Sequence, residues 1–472
     1  MLINRDYRRL WTGQLVSQTG DFVFSTTLAL WIGTVVLAGR SYAPVAVSGL
    51  VVAVAVGTLL IGPPAGVFVD RWDRRRTMLV ADLVRAALVG ALTVVAFLPD
   101  GTLPEAVVLG AVYATVFLAT AAAQFFNPAR FALIGEVVGP GERAKAAGIG
   151  QATQAIASIA GPPLAAPLLF AVGVRWALLV NALSFLASFA AVRGVRTAAG
   201  RAAASRAGDP ADADDSGPEA PEGAPPVGTN GVAAPGGQSH AWHAEFTAGL
   251  RLVAGSRVLL ALLVAMVLAT VGTGALNSLN VFFVTDNLGV ASRWYGTLEM
   301  AEGVGLVGGA LIAAAVAERL GAHRVFAGGL ALTGVGVIVY SRLTGIGPAL
   351  VTLALCGLLL AALNTAATPV LLSSVPQSHL GRVIAVINPV QQLAALVGVA
   401  ASGWLASTAL HGLDADVAGV HFGPIDTIFT VSGLLVTAGG VYAAVAMRGL
   451  RAGAAEPGAE PEPAPAAEPA AS

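Results

Sequence analysis

A chain of 472 residues that is 56% hydrophobic and only 11% charged carries less than half the charged fraction of an ordinary soluble domain, which excludes a water-soluble globule. Length alone would suggest about three soluble domains, but the hydrophobic runs overrule that count. A net charge of -1, from 26 basic and 27 acidic side chains, leaves no field to attract nucleic acid, and the single cysteine, Cys356, excludes an internal disulfide framework.

A helix needs roughly 20 mostly apolar residues to cross a hydrocarbon core of about 30 Å. Windows of that size fall at 10–38, 44–67, 77–98, 105–127, 144–172 and 174–192, then at 258–285, 294–317, 325–343, 348–373, 383–410 and 426–447. The first carries Gln14, Gln18 and Asp21 and is too long for the apolar core of a signal peptide, so it is expected to stay as a span. Of the 26 basic residues, 22 lie at the N-terminus, on even-to-odd loops, near those helix ends or in the C-terminal tail, leaving Arg40, Arg175, Arg293 and Arg342 on the other side. The positive-inside rule then predicts both termini in the cytoplasm of a multi-pass cell-membrane protein.

The sequence therefore predicts an all-α membrane protein of 12 transmembrane helices in two pseudo-symmetric six-helix bundles, 1–192 and 258–447. Between them, 193–257 is a cytoplasmic linker. Its 199–240 stretch of Ala, Pro, Gly and Asp has too few large apolar groups to order itself, and Trp242, Phe246, Leu250 and Val253 then mark an amphipathic helix at the membrane surface. The tail 448–472 is expected to be disordered.

The halves echo each other. Asn127 and Asn364 are 237 residues apart, Gln154 and Gln392 are 238 apart, and Asp70-Arg71 has a counterpart in Glu318-Arg319. Repeated six-helix halves belong to transporters that rock one bundle against the other around a midplane site.

Between the second and third spans runs Gly66-Val-Phe-Val-Asp70-Arg71-Trp-Asp73-Arg74-Arg75-Arg76. It resembles the loop signature of the major facilitator superfamily, with Asp73 in place of the usual glycine. The resemblance implies a cytoplasmic gate made by Gly66, Asp70, Arg71, Arg74 and Arg75, in which the arginines pair with acids of the other half. On the fifth span, Gly148, Ala157, Gly161 and Pro162 resemble the exporter signature of drug:proton antiporters, with three of its glycines replaced by alanine; generic helix packing is the other reading. Together with Asn4-Arg-Asp-Tyr-Arg-Arg-Leu-Trp11, Phe126-Asn-Pro-Ala-Arg130 and Asn181-Ala-Leu-Ser-Phe185, these motifs resemble the third drug:proton antiporter family, the macrolide- and siderophore-exporter-like branch. That resemblance implies export of a bulky, mostly apolar small molecule driven by proton entry. An importer, facilitator or lipid flippase shares the fold, and a receptor or scaffold would lack transport altogether.

Carboxylates inside the bilayer are independent of the resemblance. Asp21 lies about 16 Å along the first span, near mid-membrane, and Glu299 and Glu302 share one face of the eighth. An ionised carboxylate in lipid is costly, so these side chains are expected to face a cavity and carry protons; an interhelical contact for Asp21 and snorkelling for Glu299 are the alternatives. Gln124, Gln151, Gln154, Asn181, Asn277, Asn280, Asn388 and Gln392 are candidates to line the pathway or to join helices. The expected partners are a small-molecule substrate, protons and the bilayer, for a monomer with no nucleic acid. All six histidines fall outside the spans, and neither a phosphate-binding loop nor a zinc-like spacing occurs, so no cofactor, no metal and no enzymatic activity are expected.

Overall fold

The computed structural model describes residues 3–69, 71–99, 101–195, 238–375, 379–417 and 420–448. Twelve helices among them are long and apolar enough to span a membrane, one for each of the expected windows. In chain order the first six are α1 (Arg5–Trp31), α2 (Ala43–Val69), α3 (Arg74–Phe97), α4 (Glu105–Val137), α5 (Arg143–Pro167) and α6 (Val174–Arg193). A surface helix follows, α7 (Gln238–Gly255). The last six are α8 (Arg257–Phe282), α9 (Tyr295–Leu320), α10 (Ala322–Ser341), α11 (Ile346–Ser374), α12 (Leu380–Ser407) and α13 (Pro424–Ala446). Large apolar side chains such as Val94, Phe131 and Leu311 point outward from the bundle, the surface that lipid tails rather than water would satisfy.

Short polar side chains start several helices. Asn4 accepts from the Tyr7 amide at 2.7 Å and Asp73 from the Arg76 amide at 2.6 Å, satisfying donors that a helix N-terminus otherwise leaves open. Asp73, which replaces the motif glycine, is thus the cap of α3 and has an ordinary extended backbone. At the opposite ends, α1, α5 and α8 each finish in a π-helical turn, at Ile32–Val36, Leu168–Val172 and Phe283–Asn287.

The face carrying the start of α1 and the end of α13 is called here the terminus face, and the other the far face. Near the far face the halves meet along two seams. In the first, Val45 of α2 donates its amide to Ser407 Oγ of α12 at 3.0 Å, and a Cβ on Gly403 would run into Ser48. In the second, a Cβ on Gly296 of α9 would collide with the carbonyl of Pro162 on α5, and one on Gly303 would come within 2.6 Å of Ile159. Exchanging the halves turns the second and eleventh spans into the eighth and fifth, so each seam maps onto the other. Toward the terminus face the same helices part: Gly66, Gly148 and Gly381 have nothing within 4 Å of a Cβ position.

The expected linker and tail lie largely outside the described residues, as does Asp70. What is described of the linker is α7, which packs on α12 through Val253, with Gly249 close against the Arg382 backbone; Leu250 remains exposed. The side chains of Trp242 and Phe246 lie outside the described residues. One departure from an all-α chain is a two-stranded antiparallel hairpin at the far face, β1 (Ala415–Val417) and β2 (Val420–Phe422), paired Ala415 to Phe422. Arg342 holds it by donating to His421 O at 2.9 Å while stacking on Phe422, and Asp426 neutralises the arginine at 3.4 Å.

Candidate functional site

A cavity of about 650 Å³ lies between the halves on the terminus side of the two seams. Its wall is mostly apolar, with Phe22, Leu28, Val54 and Leu306 among the lining residues, and its charged groups are few: Asp21, Arg85, Glu299 and Glu302. A small number of polar groups on an apolar wall is the ordinary chemistry of a small-molecule site.

In the N-terminal half the site is built on α1 and α3. Gly20 brings α1 close to Ser184 and Asn181 of α6, which sets Asp21, the next residue, against the cavity. Asp82 and Arg85 are three residues apart and so share one face of α3. Asp82 Oδ1 accepts from Arg85 at 2.5 Å, and Asp21 Oδ2 stands 3.8 Å from the same guanidinium. The Asp82 side chain is 0% exposed and that of Asp21 is 45% exposed. The guanidinium is held between the Phe126 and Phe185 rings at 4.5 and 4.4 Å. Neither Asp82 nor Arg85 was expected from the sequence. The signal was there, an Asp-x-x-Arg step inside an apolar run, but Arg85 counts with the topology-setting arginines when only its distance from a helix end is read.

In the C-terminal half Glu299 and Glu302 lie one turn apart on α9, both facing the cavity. Glu299 Oε1 accepts from Asn280 Nδ2 at 3.4 Å, and Asn280 Oδ1 accepts from the Tyr340 hydroxyl at 2.7 Å. Tyr340 is fixed by Phe283 and Phe429, with ring centroids 4.6 and 6.1 Å away.

The remaining sequence candidates separate. Gln124 and Asn277 line the cavity. Gln151 and Gln154 are exposed on α5 seven and four residues before Ser158, which itself lines the cavity, so they continue that face toward the terminus face. Asn388 and Gln392 are exposed on α12. Asn181 and Asn280 do not line the cavity and take the helix-joining alternative: at 0% and 3% exposure both are packed between helices, Asn181 beside Gly20 and Asn280 under Glu299. Phe282 and Phe283 are likewise buried, whereas Phe22 reaches the cavity.

The gate arginines bond within their own half. Arg74 pairs with Glu136 on α4, and Arg75 donates to the carbonyls of Val192 and Arg193 at the end of α6; Arg71 is exposed. On α5, Ala157, Gly161 and Pro162 are buried. A Cβ on Gly161 would collide with Phe22 of α1, while Gly148 has open space around it.

A second chamber, of about 700 Å³, opens at the far face beyond the seams, where Gly33, Arg40, Asp286 and His421 are among its lining residues. Beside it, Glu105 accepts from Arg40 and from Tyr42 at 2.8 Å each, and that hydrogen bond raises the Tyr42 phenol above its ordinary range.

Comparison with known proteins agrees with this architecture. The sequence profile of the Major Facilitator Superfamily matches residues 10–289 and 262–471. The chain belongs to the major facilitator superfamily. Relatives include macrolide efflux protein A of Enterococcus faecalis, 37% identical over 109 residues, which is 23% of this chain and 32% of the relative. An uncharacterized MFS-type transporter of Bacillus subtilis (strain 168), YkuC, is 27% identical over 193 residues, 41% of this chain and 42% of the relative. The chain thus matches less than half the length of these curated relatives. Among solved structures, a bacterial homologue of the iron transporter ferroportin in its inward-facing state superposes with a TM-score of 0.65 at 14% identity, covering 94% of this chain and 99% of that one. A bacterial homologue of the lysosomal transporter Spinster, also inward-facing, gives 0.63 at 14% identity, covering 94% and 96%. At that identity the likeness shows the fold alone. Family membership and the twelve candidate spans together support a multi-pass membrane protein.

Proposed function

We propose that the protein exports a bulky, mostly apolar small molecule in exchange for protons, with its termini in the cytoplasm. The observation that carries the reading is the single cavity into which carboxylates of both halves project, Asp21 from one and Glu299 and Glu302 from the other. An acid in such a place is costly when ionised, so its protonation state and the substrate compete to set the charge of one chamber. If protonated and substrate-loaded sites favour different tilts of the bundles, the two fluxes are coupled. The macrolide efflux relative supports the substrate class and the direction. With the terminus face in the cytoplasm, the closed seams lie on the outer side and the cavity is the inward-open one, ready to load from the cell.

The test uses purified protein in vesicles, with an imposed proton gradient and a fluorescent lipophilic dye. Wild-type protein is expected to move dye uphill, opposite to the proton flux that the gradient drives. Asp21→Asn and Glu302→Gln are each expected to abolish uphill movement while leaving some downhill exchange. Wild-type transport that ignores the gradient would overturn proton coupling and favour a facilitator. In an efflux-deficient host, expression is expected to raise resistance to a panel of lipophilic antibiotics.

A further inference from the structure

We propose that Arg85 and Asp82 are the positioning residues of the proton site on α1 and α3, sharing one clamped guanidinium between a sealed carboxylate and an open one so that, of the two carboxylates, Asp21 is the one that exchanges its proton. The inference deepens the proton-coupled reading above and rests on it for its link to transport.

The geometry is asymmetric in each respect that matters. Asp82 is sealed from solvent and 2.5 Å from Arg85; Asp21 is 3.8 Å away with nearly half its side chain open to the cavity. The guanidinium is anchored by the Phe126 and Phe185 rings and by Asp82 on its own helix face, and so stays nearer Asp82 than Asp21. Arg85 Nε is buried with no hydrogen-bond partner, so the cation is not saturated by the pair with Asp82.

Two carboxylates share one cation, leaving one negative charge in excess when both are ionised. A proton delivered from cavity water to Asp21 makes that residue neutral, and Arg85 and Asp82 then form a balanced pair. When the proton leaves to water, the excess charge returns to the cavity wall, not to the helix interior. Asp82 thereby supplies the compensation that keeps Arg85 charged and buried, which a lone arginine at this depth would lack. Arg85 in turn limits how tightly Asp21 holds its proton.

Among the described residues lining the cavity, the remaining charged groups are Glu299 and Glu302. On α9, across the cavity, Glu299, Glu302 and Tyr295 face Asp21. On α4, Arg130 is nearer the terminus face, donating to Gln14 at 3.2 Å, and α2, α5 and α6 contribute apolar or uncharged residues such as Val54, Pro162 and Phe185.

The test is an infrared pH titration of the full-length protein in lipid bilayers, following the protonated carboxyl band that Asp21→Asn removes. Arg85→Gln deletes the cation and leaves Asp82 as a neighbouring anion, so the band should persist to a pH about one to three units higher. Asp82→Asn frees Arg85 for Asp21 alone, so the band should vanish at a lower pH than in wild type. The paired change D82N with R85Q removes both charges and should bring the midpoint back toward wild type, and Arg85→Lys should do the same. A merely structural role would lower yield or stability without opposite shifts. Shifts in the same direction, no shift, or no band dependent on Asp21 would overturn the assignment, and if Arg85→Gln does not insert, the Asp82→Asn and paired variants still decide it. Run beside the vesicle assay, the titration separates two failures. Wild-type transport indifferent to the gradient defeats proton coupling, whereas unopposed infrared shifts defeat the shared-cation site.

Discussion

At the scale of single residues, the same side chain serves topology, folding or chemistry according to what surrounds it. Asp73 is the simplest case. In place of the motif glycine it caps α3 with a 2.6 Å hydrogen bond to the Arg76 amide. Asp73→Ala should therefore destabilise the purified protein by about 1 kcal/mol and Asp73→Gly by only a few tenths, read by chemical denaturation in detergent. Asp70 lies outside the described residues, so its gate role remains a proposal from the motif. Asp70→Asn should slow export in the vesicle assay at unchanged expression, and unimpaired transport by that variant would count against the gate. Arg74 and Arg75 bond to α4 and α6 of their own half, which fits the proposed gate with its partners apart in this arrangement.

At the scale of helices, the seams are set by glycines at close crossings. Gly296 is one of them, since a Cβ there would strike the Pro162 carbonyl. Gly296→Leu should push α5 and α9 apart and disfavour the arrangement seen here. With Cys356 first replaced by Ser, a cysteine at Ser158 should then label more slowly from the terminus side. The seal between the two chambers is thin: Phe282 packs over Gly33, whose Cβ position lies 3.2 Å from the ring, and both residues line the far chamber. Ala29, one turn before Gly33 on α1, already faces the central cavity. One turn is about 5.4 Å, so along α1 the two chambers are separated by little depth, with Phe282 in the seal. Phe282→Ala should make the protein leaky, with faster dissipation of a proton gradient in the absence of dye.

At the scale of the whole molecule, the two six-helix halves behave as bodies joined by two related seams near one face. A transport cycle then requires these seams to part while the terminus-side ends of the same helices come together. Val45→Cys with Ser407→Cys, placed where the Val45 amide meets Ser407 Oγ at 3.0 Å, should cross-link under oxidation and stop transport, with recovery on reduction. Full transport by the oxidised, cross-linked protein would mean that the halves do not separate there. The far-face hairpin pinned by Arg342 stays with the C-terminal half in such a motion, because its contacts are to Asp426, His421 and Phe422.

The sequence by itself determined the number of the spans, their windows along the chain and the repeat of the halves. These follow from local quantities: the length of an apolar run, the position of basic residues and the rise of a helix along its axis. Gln124 and Asn277 were legible as cavity candidates for the same reason, being polar at mid-span. Which face each helix presents is not a local quantity, and only packing against the neighbouring helices decided it. That is why Asn181 and Asn280 went to helix junctions, and why Asp82 and Arg85 became a clamped pair beside Asp21. The closed far side and the open terminus side were likewise beyond the sequence, since one chain carries the residues of both ends and no local pattern says which of them touch. Its residues encode the two seams and the parted ends together, and the tertiary structure records which of them is in contact.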